Sequence, residues 1–163
     1  MTTELLENIE AMVFDVDGVL TDGTLLLFPT GDMVRSMNIK DGYAMNHAVK
    51  KGFRLCIISG GRSELVINRL KLLGIPDVYM NIRDKAEKLK EFFESNNISP
   101  EKTLFMGDDI PDIEAMRMVG LPCCPADAAD EVKDVSVYIA SKTGGTGCVR
   151  EMLEMVMKAQ GKW

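Results

Sequence analysis

The chain has 163 residues, of which 46% are hydrophobic and 27% charged, a composition typical of a folded globular protein and not of a disordered one. The length fits one domain with a substantial core, so we expect a single domain over residues 1–163. The formal net charge of −6 argues against a general nucleic-acid-binding surface, because phosphate backbones select a basic face.

Membrane, export and zinc signals are missing from the sequence. No apolar run approaches the ~20 residues that span a bilayer, so we expect no membrane partner. The first residues, MTTELLENIE, lack the basic start of a secretory signal, and we expect a cytoplasmic protein. The four cysteines form no C-x-x-C pair and His47 is the only histidine, so we interpret the thiols as buried or half-buried and His47 as a surface residue.

Predicted strands and helices alternate along most of the chain. The first half contains a strand in EAMVFDV, a helix in DGYAMNHAVKKG that ends at Gly52, a strand in FRLCIIS and a helix in SELVINRLKLLG that ends at Gly74. The second half contains a strand in DVYM, a helix in DKAEKLKEFFESNN, a strand in KTLFMGDD, a helix in DIEAMRMVG and a strand in LPCC, followed by DEVKDV, SVYIA and GCVREMLEMVMKAQ. This alternation predicts an α/β fold, with a Rossmann-like parallel sheet and helices on both faces.

One segment breaks the alternation. TLLLFPTGDMVRSMN predicts two short strands around the turn PTGD, a β-hairpin inserted after the first acidic loop. No later segment before the next strand is long enough for a lid, so we predict no cap domain. The hairpin carries apolar side chains that need covering, and we therefore predict a homo-oligomer.

Polar side chains follow three of the predicted strands and begin one helix. Because the carboxyl ends of parallel strands meet at one edge of a sheet, we expect these side chains to converge there. The i, i+2 spacing of the first two predicts that they share one face of the strand, and Gly18 lets the backbone turn close to a ligand. In chain order they are Asp15, Asp17, Ser59, Lys85, Asp108, Asp109 and Asp112.

This set of residues suits phosphoryl transfer. Crowded carboxylates repel one another unless a cation lies among them, and ligation by oxygen alone suits Mg²⁺. One carboxylate can attack phosphorus, a second acid can move the proton, and a lysine and a hydroxyl can hold the transferring oxygens. Each signal also has a structural interpretation, since D-x-D is common in turns, GDDIPD and Ser59 could cap helices, and most lysines are solvated. The combination and its order along the strands favour catalysis.

The motifs DVDGVLTDG, IISGG, Lys85 and GDDIPD resemble the four motifs of the haloacid dehalogenase superfamily of phosphohydrolases. The resemblance implies that Asp15 is the nucleophile, that Asp17 is the general acid and base, and that Ser59 and Lys85 hold the phosphate. It also implies that Mg²⁺ is bound by the Asp15 carboxylate, the Asp17 backbone carbonyl and Asp108. Asp109 and Asp112 would support these ligands.

Further segments, NIKDGYA, NRLKLLGI, VGLPCCPADA, GGTGCVRE and AQGKW, are similar to the 3-deoxy-D-manno-octulosonate 8-phosphate phosphatase family. Members are small, capless and tetrameric, and they serve lipopolysaccharide biosynthesis. The resemblance implies that substrate contacts, besides those of Asp17 and Lys85, come from Asn38, Ile39, Lys40, Asp41, Gly42 and Arg69. Arg69 lies about ten residues, or ~15 Å of helix, beyond Ser59, and we hypothesise that it reaches the substrate carboxylate of an adjacent subunit.

The chain departs from the family pattern at two positions. The family usually has arginine where Gly61 stands, and we expect Arg62 to take its place at the substrate; Thr146 replaces the arginine of the family's GGRG. Relatives acting on nine-carbon acids tend to carry Glu at position 61 and Lys at position 72, and their absence favours the eight-carbon substrate. A phosphatase for another sugar acid phosphate, such as a nonulosonate 9-phosphate, remains open. A phosphomutase would need a lid, and a non-catalytic oligomerisation module would be marked by loss of Asp15, Asp17 or Lys85.

Overall fold

The computed structural model describes residues 2–163, in which six parallel strands form one sheet. In chain order these strands are β1 (Ala11–Phe14), β4 (Arg54–Ile58), β5 (Asp77–Tyr79), β6 (Thr103–Met106), β7 (Leu121–Cys124) and β8 (Tyr138–Ile139). They lie side by side in the order β5-β4-β1-β6-β7-β8, and every neighbouring pair is parallel. The predicted α/β fold is confirmed.

Helices cover both faces of this sheet. They are α1 (Thr3–Glu7), α2 (Ile39–Lys50), α3 (Glu64–Leu72), α4 (Lys85–Asn96), α5 (Ile113–Met116), α6 (Asp130–Val135) and α7 (Cys148–Ala159), with 3₁₀ turns at Pro100–Lys102 and Ile110–Asp112. Alternate residues of β1 point to opposite faces: Met12 and Phe14 pack in the core formed with α1, α2, α3 and α7, whereas Ala11 and Val13 pack in the core formed with α4, α5 and α6. Burial on both faces explains why the central strands are continuously apolar.

The predicted hairpin is present and lies outside this sheet. Its strands, β2 (Leu26–Leu27) and β3 (Met33–Val34), pair antiparallel, but each has only two residues. Because the pair is so short and its apolar side chains are mostly exposed, the hairpin has little packing of its own to hold it in place.

The structure differs from the sequence predictions at three helical or strand segments. Helix α1 was not predicted, and the helix expected in DIEAMRMVG is only four residues long. It lacks the expected carboxyl end, because the N–H groups of Met118 and Val119 donate to carbonyls three residues back and the N–H of Gly120 donates to the Pro100 carbonyl. The strand expected in EAMVFDV ends at Phe14, since the N–H groups of Leu20 and Thr21 both donate to the Val16 carbonyl and turn the chain.

None of the helices in residues 2–163 has the length and apolar character that a bilayer crossing requires. All four cysteines are buried and free: Cys56, Cys123, Cys124 and Cys148. His47 is half-buried, because its ring stacks on Tyr43 at a centroid distance of 5.9 Å and meets the edge of Trp163 at 5.5 Å.

Candidate active site

A cleft of about 560 Å³ opens at the carboxyl ends of β1, β4 and β6. The connections that follow these three strands, together with the start of α4, supply its walls, which is where the parallel sheet was expected to place a ligand. The structure brings seven of the sequence-predicted residues together here: Asp15, Asp17, Ser59, Lys85, Asp108, Asp109 and Asp112.

Lys85 lies between two of the buried carboxylates. Its Nζ atom is 3.0 Å from Asp15 Oδ2 and 2.6 Å from Asp112 Oδ1. Burial by itself lowers the pKa of Lys85, but the charges of Asp15 and Asp112 and their hydrogen bonds outweigh it, so the pKa of Lys85 is raised. The side chain therefore remains an ammonium group at neutral pH and can compensate negative charge in the cleft.

The acids of the cleft outnumber this one ammonium group. Burial raises the pKa of Asp15 to about 6, with the Lys85 charge opposing and the Asp112 charge adding to the effect. Burial also raises the pKa of Asp108 to about 7, and the neighbouring charges of Asp15 and Asp112 add to it. These shifts indicate a cluster that lacks positive charge at neutral pH.

The donor atoms of this cluster fit a hard divalent cation. Oxygens of Asp15, Asp108 and Asp112 lie within 4.8 Å of one another, and all three donors are carboxylates, the type of ligand that Mg²⁺ prefers. Asp112 is already engaged by Lys85 and by two backbone N–H groups. Asp15 Oδ1, in contrast, is buried with no hydrogen-bond partner among the described residues. An additional cation would satisfy it.

Ser59 and Asp109 lie in the same cleft with different surroundings. Ser59 follows β4, is 1% exposed, and accepts the N–H of Gly61 at 3.2 Å through its hydroxyl. It caps no helix, because α3 begins later and is capped by Ser63. Asp109 is exposed, and its carboxylate accepts the N–H of Ile110 at 2.8 Å, where it caps the 3₁₀ turn.

Asp17 faces the hairpin rather than Lys85. Because β1 ends at Phe14, Asp17 lies in a turn and the expected one-face arrangement of a strand does not apply. Its carboxylate is held by Arg35 of the hairpin, with Nε 2.6 Å from Oδ1 and Nη2 3.0 Å from Oδ2. Sequence reasoning missed Arg35, since a single arginine in an exposed hairpin has no local signal that links it to an acid 18 residues earlier.

Two glycines of the GGTG stretch support the loop that carries Asp17. A Cβ atom on Gly144 would lie 2.0 Å from the Gly18 carbonyl oxygen, and one on Gly145 would lie 2.6 Å from the Asp22 backbone nitrogen. These positions accept only glycine because two backbones touch there. Thr146 points elsewhere, and its hydroxyl bonds within the loop to Thr143.

Within residues 2–163, the expected substrate residues at the start of α2 do not line the acidic cleft. Asn38 caps the helix through Lys40 N–H and donates to the Gly145 carbonyl at 3.2 Å. Asp41 is 1% exposed and accepts the N–H of Arg150 at 2.7 Å, at the start of α7. Ile39 and Lys40 are exposed, whereas Gly42 is buried.

The two expected substrate arginines also lie outside that cleft. Arg62 is exposed in a separate pocket lined by Phe28 and Met33 of the hairpin. Arg69 is exposed on α3, and its Nη2 atom is 2.9 Å from the position of a Cβ on Gly42. A Cβ atom on Gly61 would lie 3.0 Å from Arg35 Nη2, so the guanidinium of Arg35 lies beside the position at which the family usually has its arginine.

Comparison with known proteins places this geometry in a family. The profile of the haloacid dehalogenase-like hydrolases matches residues 74–152. The 3-deoxy-D-manno-octulosonate 8-phosphate phosphatase of Escherichia coli is 35% identical over 156 residues, which are 96% of this chain and 83% of that protein. The chain belongs to this phosphatase family.

Solved structures of the phosphatase family have the same fold as this member. The phosphatase from Yersinia pestis superposes with a TM-score of 0.96 at 31% identity, over 98% of this chain and 86% of that one. The phosphatase from Moraxella catarrhalis, solved with a magnesium ion, a phosphate ion and a KDO molecule, superposes with a TM-score of 0.94 at 32% identity, over 98% of this chain and 91% of that one. The predicted capless architecture of the family is thereby confirmed.

Proposed function

We propose that this chain is a Mg²⁺-dependent phosphatase that hydrolyses 3-deoxy-D-manno-octulosonate 8-phosphate to the free sugar acid and phosphate, a step of lipopolysaccharide biosynthesis. The observation that carries the proposal is the environment of Asp15. Its carboxylate is almost fully buried, its Oδ2 is 3.0 Å from Lys85 Nζ, and its Oδ1 is unpaired within residues 2–163. A carboxylate oriented by one oxygen and unpaired at the other is suited to act as a nucleophile.

The first half of the reaction forms an aspartyl-phosphate. The Asp15 carboxylate attacks phosphorus, and the bond between phosphorus and the sugar oxygen breaks. Asp17, a third exposed at its side chain in the same cleft, donates a proton to the departing sugar oxygen. Lys85 and Ser59 hold the non-bridging oxygens of the transferring group.

The second half of the reaction restores Asp15. Asp17 is now a carboxylate, and it takes a proton from a water molecule that attacks phosphorus. The bond between phosphorus and the Asp15 oxygen breaks, and phosphate leaves. Asp112 supports both halves, because it holds Lys85 at 2.6 Å and fixes the turn that carries Asp108.

Mg²⁺ would be held by the carboxylates of Asp15 and Asp108 and, by family resemblance, by the backbone carbonyl of Asp17. When bound, the ion neutralises charge and so lowers the repulsion between the anionic nucleophile and the anionic phosphate. The raised pKa values of Asp15 and Asp108 and the all-oxygen donor set support this assignment.

The experiment measures phosphate release by the purified full chain from a panel of sugar acid phosphates, with Mg²⁺ and with a chelator. We expect the largest kcat/KM for the eight-carbon 8-phosphate, loss of activity with the chelator and recovery with Mg²⁺. A preference for a nine-carbon 9-phosphate would instead support the alternative substrate. No release from any member of the panel would support a non-catalytic role.

Three variants of one acidic stretch test the mechanism. We expect Asp15→Asn to lower kcat by several orders of magnitude and Asp17→Asn to abolish turnover, because a carboxamide can neither attack phosphorus nor move the proton. Asp22→Asn is the matched control: Asp22 is exposed, caps Thr24 N–H at 2.9 Å and should leave activity near normal. Near-normal turnover by Asp15→Asn would reject the mechanism.

We also propose a homotetramer in which the hairpins pack together. Leu26, Leu27 and Phe28 are 58%, 74% and 51% exposed, which is unusual for neighbouring large apolar residues. In that assembly Arg69 would contact the substrate of an adjacent copy, and mixing Asp15→Asn with Arg69→Ala should restore part of the activity after subunit exchange. The cytoplasmic location and the single domain over residues 1–163 remain predictions.

A further inference from the structure

The side chain of Arg35 is buried, although the hairpin that carries it is exposed. Its side chain is 3% exposed, whereas Leu27 and Met33 on the same hairpin are 74% and 49% exposed. Burying an arginine is costly unless its donors are paired. Nε and Nη2 are paired with the two oxygens of Asp17, and Nη1 is 3.4 Å from the Met33 carbonyl.

The contact with Asp17 constrains the orientation of that carboxylate. A guanidinium is planar, and two parallel N–H groups on two carboxylate oxygens allow only one relative orientation. Rotation of the Asp17 carboxylate out of this plane would break at least one of the two contacts. Asp17 itself lies in a turn whose backbone alone does not fix the side chain, so Arg35 supplies the orientation.

Gly61 leaves the space in which this pair forms. A Cβ atom at position 61 would lie 2.8 Å from Asp17 Oδ2, 3.0 Å from Arg35 Nη2 and 3.4 Å from Ser59 Oγ. Any side chain there would press on both partners. The glycine that stands where related sequences have an arginine is therefore linked in space to the arginine of the hairpin.

We propose that Arg35 is the positioning residue for Asp17, and that position 61 must be glycine because a side chain there would separate the pair. The proposal rests on the function proposed above, in which Asp17 moves the proton. Oδ1, held more closely by Nε, is the anchored oxygen. Oδ2 lies toward the cleft residue Gly61, 2.8 Å from the position of a Cβ there.

The test compares kcat and KM of Arg35→Ala, Arg35→Lys and Arg117→Ala with those of the unmodified enzyme on the sugar acid phosphate. We expect Arg35→Ala to lower kcat at least tenfold with little change in KM, because binding persists while Asp17 loses its orientation. Arg35→Lys should recover only part of the rate, since an ammonium cannot bind both oxygens in one plane. Arg117→Ala, which removes an exposed arginine paired with Glu114, is the control.

Chemical rescue separates positioning from a purely structural role. Guanidinium chloride at tens of millimolar should raise kcat of Arg35→Ala by restoring a planar donor beside Asp17, and sodium chloride at equal ionic strength should not. Thermal unfolding of each variant checks that it is folded. A folded Arg35→Ala with normal kcat, or one with low kcat that guanidinium does not raise, would overturn the role of Arg35.

A double-mutant cycle tests the part played by Gly61. Gly61→Ala should lower kcat in the unmodified enzyme but have little further effect in Arg35→Ala, because both changes break the same pair. Additive losses would overturn the link between the two positions. The Asp17→Asn variant separates this proposal from the proposed function. If Asp17→Asn is inactive, a negative result in the cycle rejects only the roles of Arg35 and Gly61. An active Asp17→Asn would instead reject Asp17 as the residue that moves the proton.

Discussion

Gly18 illustrates how a single missing side chain supports the acidic cluster. Its backbone has φ of +84°, and a Cβ atom there would lie 1.9 Å from Asp108 Oδ2. The carboxylate of Asp108 therefore rests directly against the loop that carries Asp17. A methyl group at position 18 would displace that carboxylate from its position in the cluster.

We expect Gly18→Ala to weaken Mg²⁺ binding at least tenfold, because it displaces Asp108 in addition to straining the backbone. Gly52→Ala is the matched control, since Gly52 has φ of +88° but no atom within 4 Å of its Cβ position. The control should cost about 1 kcal/mol of stability and leave the metal affinity unchanged. Isothermal titration of both variants with Mg²⁺ is the measurement, and equal affinities would contradict the role assigned to Gly18.

At this scale the sequence predicted some residues of the cleft and missed others. Asp15, Ser59 and Asp108 were found because each lies within two residues of the end of an apolar strand, so parallel topology brings them together. Arg35 was missed because its place depends on how the hairpin folds back over the loop of Asp17. Arg62 lines the pocket beside the hairpin and not the acidic cleft, and its contact with the substrate stays a prediction.

At the scale of elements, the limits of α3 and α4 followed from caps that are visible in the sequence, and the end of β1 did not. The carboxylate of Asp84 caps α4 and the hydroxyl of Ser63 caps α3, while Gly74, at φ of +87°, follows the end of α3. The end of β1 depends instead on a turn that is closed by hydrogen bonds to the Val16 carbonyl. The residues VDGVL show neither the two-residue hydrophobic period of a strand nor the 3.6-residue period of a helix, so the sequence does not predict where the strand ends.

The hairpin is the element whose exposed face gives the clearest prediction. Leu27→Lys should lower the oligomeric state of the protein, because a lysine cannot be buried between packed hairpins without loss of hydration. Val137→Lys is the control, since Val137 is 48% exposed but lies beside β8, in another part of the chain. Sedimentation velocity measures both. An unmodified protein that sediments as a monomer, or a Leu27→Lys variant that assembles normally, would reject the proposed packing.

At the scale of the whole molecule, the acidic cluster couples stability to pH and metal. Asp15 and Asp108 have pKa values of about 6 and about 7, against an ordinary value of 3.8. Between pH 3.8 and about pH 7, the folded metal-free protein therefore binds more protons than the unfolded chain. The free energy of unfolding contributed by the two acids therefore falls as the pH rises through that window, and it stays low above pH 7.

We expect Mg²⁺ to raise the free energy of unfolding more at about pH 8 than at about pH 5, because protons compete for the same oxygens at the lower pH. Denaturant unfolding with Mg²⁺ and with a chelator, at both pH values, is the measurement. Asp108→Asn serves as the comparison, since it removes one of the two acids and should reduce the difference. An equal gain at both pH values would contradict the linkage.

The four buried thiols make the protein a reporter of its own local opening. A thiol reacts with an alkylating reagent only when it is both exposed and ionised, and burial raises the pKa of Cys56, Cys123 and Cys148. Cys56 lies in β4, Cys123 and Cys124 in β7, and Cys148 at the start of α7. The rate at which each thiol is labelled in the native protein therefore measures how often that part of the molecule opens, with no introduced probe.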